Sequence, residues 1–253
     1  MQSSMNHREE SGDFVLGKGP QVCHARRRVL QAASQQSPLL LRGEAGTGKT
    51  FLARQLHQHG PRGSAPFVPI RGETLSSAWV ESQLFGHARG ALPGTLGSSL
   101  GAARSADGGV LFIEEVVELP LPAQIKLLHL LQHQEVTPLG EETAETVDVQ
   151  VICATTHDLE SEVAGGSFFE ALHRELQLFA VDIPSLRDRA EDIPALIDFL
   201  AAKFARKYQR TAWRPRPEVL QEFCNYDWPG NIRQLASVIE QGCVLDAAPA
   251  VPS

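Results

Sequence analysis

A glycine-rich loop carries the residues whose types and spacing best support chemistry. Its members are Gly43, Glu44, Ala45, Gly46, Thr47, Gly48, Lys49 and Thr50. The apolar run LLL before it predicts a strand, and FLARQLH after it predicts a helix. In that order, the loop N–H groups and the positive end of the helix converge where a phosphate chain binds. A chance glycine-rich turn is the alternative, but the flanking elements favour a triphosphate site, with Lys49 at the β- and γ-phosphates and Thr50 as a Mg²⁺ ligand.

Two adjacent carboxylates form the second candidate. Glu114 and Glu115 directly follow the apolar run VLFI at residues 110–113. A continuous run of this kind is typical of a strand that is covered on both faces of a parallel sheet. Ligands of such sheets bind at the carboxyl ends of the strands. We therefore predict that both carboxylates lie at the edge where the nucleotide binds.

The rest of the pattern predicts the elements that position these groups. Apolar runs at residues 67–70, 147–155 and 178–183 predict further strands, separated by helical segments, which is typical of an α/β fold with a covered parallel sheet. From about residue 191 only helical spacing remains, which predicts a small helical domain. The expected divisions are a flexible tail at 1–13, a nucleotide-binding domain at 14–187, a helical domain at 188–247 and a tail at 248–253.

Two segments outside these elements have candidate roles. Leu16 and Gly17 belong to an apolar turn that either covers an adenine ring or only packs, and the residues favour neither alternative. The span GHARGALPGTLGSSLG, at residues 86–101, concentrates glycine, serine and proline. It is predicted to be a loop or a pair of strands that projects from the body of the protein.

The composition favours a globular, cytosolic protein. A formal net charge of -7 gives no overall attraction to nucleic acid or to an anionic membrane, and the basic segment at 203–216 is better interpreted as a solvated helix end. The 4 cysteines form no CxxC pair, which suggests free thiols in a reducing compartment. No apolar span reaches the roughly 20 residues of a membrane helix, and the first residues contain no signal core. We therefore expect a cytoplasmic location.

Six motifs in order resemble the AAA+ domain of bacterial sigma-54-dependent transcription activators. They are GEAGTGKT, ESQLFGHARGALPGT, ADGGVLFIEEVVELP, ICATTHDLE, IPSLRDRAEDIPAL and YDWPGNIRQL. The resemblance implies a P-loop fold with a helical lid, ATP and Mg²⁺ as ligands, and a ring, usually a hexamer, that hydrolyses ATP to remodel sigma-54 RNA polymerase. The chain ends soon after the third lid helix, so a helix-turn-helix DNA-binding domain is not expected.

The resemblance also assigns roles to particular residues. Residues 43–50 would form Walker A and residues 110–115 Walker B, with Glu115 as the catalytic glutamate. Glu114 would bind Mg²⁺, Thr156 would stand at the sensor position after ICAT, and Arg233 would be the lid arginine that reaches the nucleotide.

Several positions depart from the family pattern. Glu114 replaces an aspartate, which could disturb the octahedral geometry that Mg²⁺ requires. Thr156 replaces an asparagine, so an amide that both donates and accepts is lost. Arg71 stands where the family usually has an asparagine, and we hypothesise that it grips Glu115 in a charge-assisted pair.

The largest departures concern the arginine fingers and the partner loop. Phe169 and Glu175 occupy the two finger positions, and Arg174 is turned by about 100° from Glu175 on a helix. Fingers contribute about 10³- to 10⁵-fold in rate, so a homo-oligomer should hydrolyse ATP poorly. The element that contacts sigma-54 in the family is here Gly90, Ala91, Leu92, Pro93, Gly94 and Thr95.

Two functions remain open at this point. One is a working ATPase ring that remodels sigma-54 RNA polymerase. The other, which we favour, is a nucleotide-binding regulator of weak hydrolysis that assembles with itself, with a related AAA+ subunit or with another regulator. A DNA-binding repressor is disfavoured by the acidic charge and by the missing reading helix.

Overall fold

The computed structural model describes residues 17, 19–71, 77–95, 97–245 and 249–251 of the 253-residue chain. These residues form two compact units. The sheet unit consists of residues 28–42 and 53–182, and the loop–lid unit consists of the described part of residues 1–27, 43–52 and 183–253. The phosphate loop and the helical lid thus belong to the same unit. The predicted domain limits near residue 187 stay a prediction.

The sheet unit contains a five-stranded sheet in the order β2-β3-β6-β1-β7. The strands of the chain are β1 (Leu39–Arg42), β2 (Phe67–Arg71), β3 (Val110–Glu114), β4 (Glu135–Val136), β5 (Glu145–Thr146), β6 (Gln150–Thr155) and β7 (Ala180–Asp182). Every pairing between described residues of the large sheet is parallel, whereas β4 and β5 form a separate antiparallel pair. The α/β class with a parallel sheet is therefore confirmed.

The positions of β2, β3 and β6 in the sheet agree with their sequences. All six residues of β6 and the first four of β3 are buried, as expected for central strands covered on both faces. β2 lies at the edge of the sheet, where Pro69 can be accommodated because an edge strand has one row of unpaired N–H positions. β7 is shorter than the predicted strand at 178–183, since Leu178 still has helical dihedral angles.

Helices connect the strands and form the lid. They are α1 (Pro20–Gln35), α2 (Lys49–His59), α3 (Ser77–Phe85), α4 (Gly101–Ser105), α5 (Leu121–His133), α6 (Leu159–Ala164), α7 (Glu170–Gln177), α8 (Ile193–Tyr208), α9 (Pro217–Asn225) and α10 (Asn231–Leu245). Within the described ranges, no helix has the length and apolar character needed to cross a membrane.

Each unit has its own apolar core. In the sheet unit, Leu111, Ile113 and Cys153 of the central strands are fully buried among residues of α3, α5 and α7. In the loop–lid unit, Phe223 and Trp228 pack with residues of α8 and α10, and their ring centroids are 5.3 Å apart. Burial raises the pKa of the Cys153 thiol, and all 4 cysteines are free thiols, as predicted.

The described residues of the glycine-rich span before α4, 86–95 and 97–100, form a loop and not a pair of strands. His87 and Ser99 form one antiparallel bridge at its base, with hydrogen bonds of 3.0 and 2.9 Å between their backbones. Among the described residues of the span, no further strand pairing continues from this bridge. The glycines and Pro93 offer few side chains for cross-strand packing, so the pairing stops there.

Candidate nucleotide-binding site

The phosphate loop begins where β1 ends and closes where α2 begins. β1 ends at Arg42, and Lys49 is the first residue of α2. Gly46 has a φ of 79°, and a Cβ there would come within 2.3 Å of the Gly230 carbonyl oxygen. Glycine suits this position because it adopts positive φ and leaves room for the approaching backbone. The N-terminal end of α2 therefore adjoins the loop, the arrangement in which a helix binds an anion.

The Lys49 side chain is folded back onto the loop. Its Nζ donates hydrogen bonds to the carbonyl oxygens of Gly43, at 2.7 Å, and of Glu44, at 3.1 Å. Thr47 is fully buried, and its hydroxyl donates to the same Glu44 carbonyl at 2.9 Å. These bonds curve the loop around the ammonium group and place a positive charge at its centre.

The Glu44 side chain is held by two residues of the lid. Both Nη atoms of Arg187 donate to the Glu44 carboxylate, one of them at 2.9 Å, and Asn231 Nδ2 donates to its Oε2 at 3.0 Å. Asn231 also donates to the Ala45 carbonyl at 3.0 Å and accepts from the Leu186 N–H at 2.7 Å. We call Glu44, Arg187 and Asn231 the Glu44 network. It ties the first turn of the phosphate loop to the start of the lid and to the first residue of α10.

The charges of the Glu44 network stabilise one another. The hydrogen bonds from Arg187 and then from Asn231 lower the pKa of Glu44 below its usual 4.5, and the bond to Glu44 raises the pKa of Arg187. A carboxyl whose folded-state pKa is lowered contributes stability above its unfolded-state pKa, and this is lost as the pH falls through the folded-state value. The network is therefore fully charged at neutral pH and weakens below the usual carboxyl pKa.

Two further lid arginines lie against the loop backbone. Arg189 is completely buried, and its Nη2 donates to the Thr47 carbonyl at 3.0 Å. Burial lowers the pKa of Arg189, and the nearby Asp192 carboxylate opposes that shift. The Arg233 N–H donates to the Gly46 carbonyl at 3.3 Å, while the residue itself is exposed. The predicted sensor arginine thus adjoins the loop, and its contact with a nucleotide stays a prediction.

Glu115 has a strained backbone at the end of β3. Its φ is 51° and its ψ is 64°, and a 3₁₀-helix (Val116–Glu118) follows it. A left-handed conformation costs a non-glycine residue about 1–2 kcal/mol. Such strain clusters at functional positions. The Glu115 Oε2 accepts hydrogen bonds from the Thr156 N–H, at 2.9 Å, and from the Thr156 hydroxyl, at 3.1 Å. The structure therefore brings two predicted site residues of the sheet unit together.

Arg71 contacts the other carboxylate of the pair. Its Nε donates to Oε2 of Glu114, and the two side chains form an ion pair. The hypothesis that Arg71 grips Glu115 was therefore wrong, because β2 and β3 pair in a register that sets Arg71 opposite Glu114. Glu114, the predicted Mg²⁺ ligand, is engaged by a cation of the chain itself. Thr50, the other predicted ligand, stays a prediction.

The two finger positions carry no arginine in the fold. Phe169 precedes α7, its N–H donates to Oε1 of Gln124 at 2.7 Å, and its partly buried ring packs against the core of the sheet unit. Glu175 is half-buried on α7. Arg174 forms an exposed ion pair with Glu170 at 3.1 Å, four residues away on the same helix. Neither of the two predicted finger positions therefore carries a positive charge.

The partner loop is partly folded onto itself. Leu92 is 5% exposed, and its carbonyl accepts from the Thr95 hydroxyl at 2.7 Å. Pro93 and Gly94 at the tip are exposed. A Cβ at Gly90 or Gly94 would meet no atom within 4 Å. The side chain that occupies the centre of the tip is thus turned inward, which leaves mainly backbone and proline at the surface.

Arg187 and Asn231 are site residues that the sequence analysis did not identify. Both stand in motifs that were recognised, IPSLRDRAEDIPAL and YDWPGNIRQL, but only Arg233 was given a role there. Leu16, predicted at the adenine, lies outside the described residues. Gly17 is described, and a Cβ on it would come within 2.0 Å of the Asp192 carboxylate. Among the residues that the structure describes, no cluster of three metal-ligating side chains is present.

Replacing Asn231 by alanine should destabilise the protein by about 1–3 kcal/mol, because the buried Leu186 N–H would lose its acceptor. Alanine would also adopt the positive φ of 51° less readily than asparagine does. Chemical denaturation measures this loss. Asn225→Ala, at the exposed end of α9, is the matched control and should change the stability by less than about 0.5 kcal/mol. Equal effects of the two substitutions would contradict the assigned role of Asn231.

Family models and curated relatives match nearly the whole chain. The model of the sigma-54 interaction domain matches residues 15–182, and that of the AAA+ ATPase lid domain matches residues 187–252. The chain is 36% identical over 231 residues to the response regulator protein PilR of Pseudomonas aeruginosa, covering 91% of this chain and 52% of the relative. It is 38% identical over 233 residues to the Nif-specific regulatory protein of Herbaspirillum seropedicae, and this match covers 92% of this chain and 43% of the relative. The chain thus spans about half the length of such relatives.

Solved structures of a bacterial protein share the fold. NtrX from Brucella abortus superposes with a TM-score of 0.82 at 30% sequence identity, over 100% of this chain and 58% of that one. NtrX in complex with ADP gives a TM-score of 0.84 at 30% identity, over 98% of this chain and 55% of that one. NtrX in complex with ATP gives a TM-score of 0.83 at 29% identity, over 98% of this chain and 54% of that one.

Proposed function

Because the chain belongs to the sigma-54 interaction domain family of AAA+ proteins, we propose that it is a nucleotide-binding regulator of transcription with weak ATP hydrolysis of its own. It would act in a ring, with copies of itself or with a related AAA+ subunit. Its target would be sigma-54 RNA polymerase or another regulator. Nucleotide binding and ATP turnover are separate properties, and different residues support each of them.

The geometry of the phosphate loop is the main support for nucleotide binding and for the proposal as a whole. Lys49 sits at the centre of a loop whose glycine dihedrals and helix N-terminus suit a phosphate chain. The Glu44 network joins the lid to the phosphate loop. Arg233, two residues after Asn231, also lies beside the loop backbone. Related NtrX has been solved in complex with ADP and with ATP, which makes adenine nucleotides the natural ligands to test.

The finger positions support weak hydrolysis. A finger arginine neutralises charge on the transferring phosphoryl group of a neighbouring subunit. Phe169 is partly buried in a core, and Glu175 would add negative charge in place of a cation. Glu115 remains the candidate for activating the attacking water, and its strained backbone and its bonds to Thr156 support a functional role. One pocket of this chain would therefore have a catalytic carboxylate without fingers from an identical neighbour.

The alternative function is a fully active ATPase that remodels sigma-54 RNA polymerase. In that case Arg174 would have to leave its ion pair with Glu170 and take over the finger role. The exposed position of Arg174 is the observation that keeps this alternative open. The inward-turned Leu92 in the partner loop favours the regulator instead.

Nucleotide affinity and ATP turnover, measured on the same preparation, test the proposal. Calorimetry should detect ADP binding, whereas turnover of the chain alone should lie far below that of a relative that has both finger arginines. Mixing the chain with that relative should raise turnover above the sum of the two, since the neighbour's fingers reach this chain's pocket.

Two variants make the mixing experiment specific. Glu115→Gln in this chain should abolish the added turnover of the mixture. Glu118→Gln, which removes an exposed carboxylate from the 3₁₀-helix that follows Glu115, should leave it intact. Absence of ADP binding would overturn the proposal as a whole. Turnover by the chain alone at the level of the relative would leave nucleotide binding standing and remove the weak-hydrolysis part.

A further inference from the structure

The ion pair between Arg71 and Glu114 is built into the register of the sheet. Arg71 is the last residue of β2 and lies directly opposite Glu114, the last residue of β3, in a parallel pairing. Neighbouring strands are about 4.8 Å apart, and residues in register point to the same face. The register of the backbone therefore places the two residues side by side.

The pair is asymmetric in its exposure. The Glu114 side chain is 17% exposed and the Arg71 side chain is 62% exposed. A largely buried carboxylate needs a compensating positive charge, since an unpaired one bears the full cost of desolvation. Arg71 supplies that charge from the surface side.

A Mg²⁺ ion does not fit the Glu114 carboxylate in this arrangement. Mg²⁺ demands near-octahedral oxygen ligands and gives up its water reluctantly. A guanidinium in contact with the carboxylate cancels the charge that would attract the ion and repels the ion itself. Glu115 is engaged separately by Thr156, so the two adjacent carboxylates have different partners.

We propose that Arg71 takes the place of a divalent cation at Glu114, so that the chain binds an ATP analogue with little dependence on Mg²⁺. This inference rests on the proposed nucleotide binding and deepens it. Arg71 is then a specificity-determining residue that selects the metal-free nucleotide, in addition to stabilising the sheet edge. Removing the guanidinium should free Glu114 and make affinity depend on the metal.

The test compares the affinity for a non-hydrolysable ATP analogue in Mg²⁺ with that in EDTA, by calorimetry on the full chain. In the wild type the two dissociation constants should differ by less than about threefold, whereas Arg71→Asn should show at least a tenfold preference for Mg²⁺. Arg71→Lys keeps a positive charge and should behave as the wild type does. Lys207→Asn removes the cation of another exposed ion pair, with Glu240 at 2.7 Å, and is the matched control.

The ratio of the two affinities decides the outcome. A ratio that is the same in the wild type and in Arg71→Asn, whatever its size, overturns the inference while nucleotide binding stands. A wild type that binds the analogue only with Mg²⁺ also overturns it, and this result needs no variant to fold. Loss of binding in both solutions would instead overturn the proposed function, and the inference with it.

Discussion

Lys49→Ala is expected to weaken ADP binding by about 100-fold. Hydrogen bonds from a charged donor contribute about 1.5–3 kcal/mol each, and every tenfold in affinity corresponds to about 1.4 kcal/mol. Lys49 is the ammonium at the centre of the phosphate loop, where it is held by the carbonyl oxygens of Gly43 and Glu44. Alanine would remove the charge that is predicted to meet the phosphates, together with the hydrogen bonds to the loop carbonyls. Calorimetric titration with ADP measures the effect.

Substitution of a second lysine is the control that distinguishes an effect of net charge from an effect of the position of Lys49. Lys203→Ala, on the exposed face of α8, changes the net charge by the same amount and should leave the ADP affinity within about twofold of the wild type. Far-ultraviolet circular dichroism should be unchanged for both variants, because each substitution leaves the other residues of its helix, α2 or α8, in place. If Lys49→Ala binds ADP as tightly as Lys203→Ala does, the loop is not the nucleotide site.

Glu175→Arg is expected to raise ATP turnover by about 10²-fold, provided that the concentration allows assembly. Finger arginines contribute about 10³- to 10⁵-fold in related phosphoryl transfers, and restoring one of two positions should recover part of that gain. Glu175 lies on α7 and is half-buried, so a long side chain at this position can extend toward solvent. The gain should grow with protein concentration, because a finger acts on the pocket of a neighbouring subunit.

The matched control reverses a charge elsewhere on the same unit. Glu142→Arg changes the net charge equally, at an exposed position in the loop between β4 and β5, and should not raise turnover. Adding Glu115→Gln to Glu175→Arg should cancel the gain, which links it to the catalytic carboxylate. A Glu175→Arg protein that assembles and still turns over ATP at the wild-type rate would contradict the interpretation that missing fingers limit hydrolysis.

These two variants distinguish nucleotide binding from ATP turnover, which the family assignment alone does not do. Lys49→Ala should weaken nucleotide binding whether or not a neighbouring subunit is present, and Glu175→Arg should increase turnover without tighter binding. If both results hold, the chain binds nucleotide in its own pocket but supplies no finger arginine to the pocket of a neighbouring subunit. That combination is what a regulatory subunit of a mixed ring requires.

Local features of the sequence determined the larger part of the fold, including the strand, loop and helix around residues 43–50. The phosphate loop was recognisable because its chemistry depends on contiguous residues, from the strand before Gly43 to the helix after Thr50. The central strands β3 and β6 were recognisable because burial on both faces requires continuous apolar runs. The prediction that finger arginines are missing likewise depends only on the residue types at Phe169 and Glu175, which folding does not change.

Only the tertiary structure decided which partners the charged groups have. Arg71 pairs with Glu114 and not with Glu115 because the register of β2 on β3 sets them opposite each other across 43 positions of sequence. The Glu44 network joins residues 143 and 187 positions apart, which no local spacing could reveal. Periodicity reports how a residue faces its own strand or helix, whereas a long-range ion pair depends on how separate elements are packed.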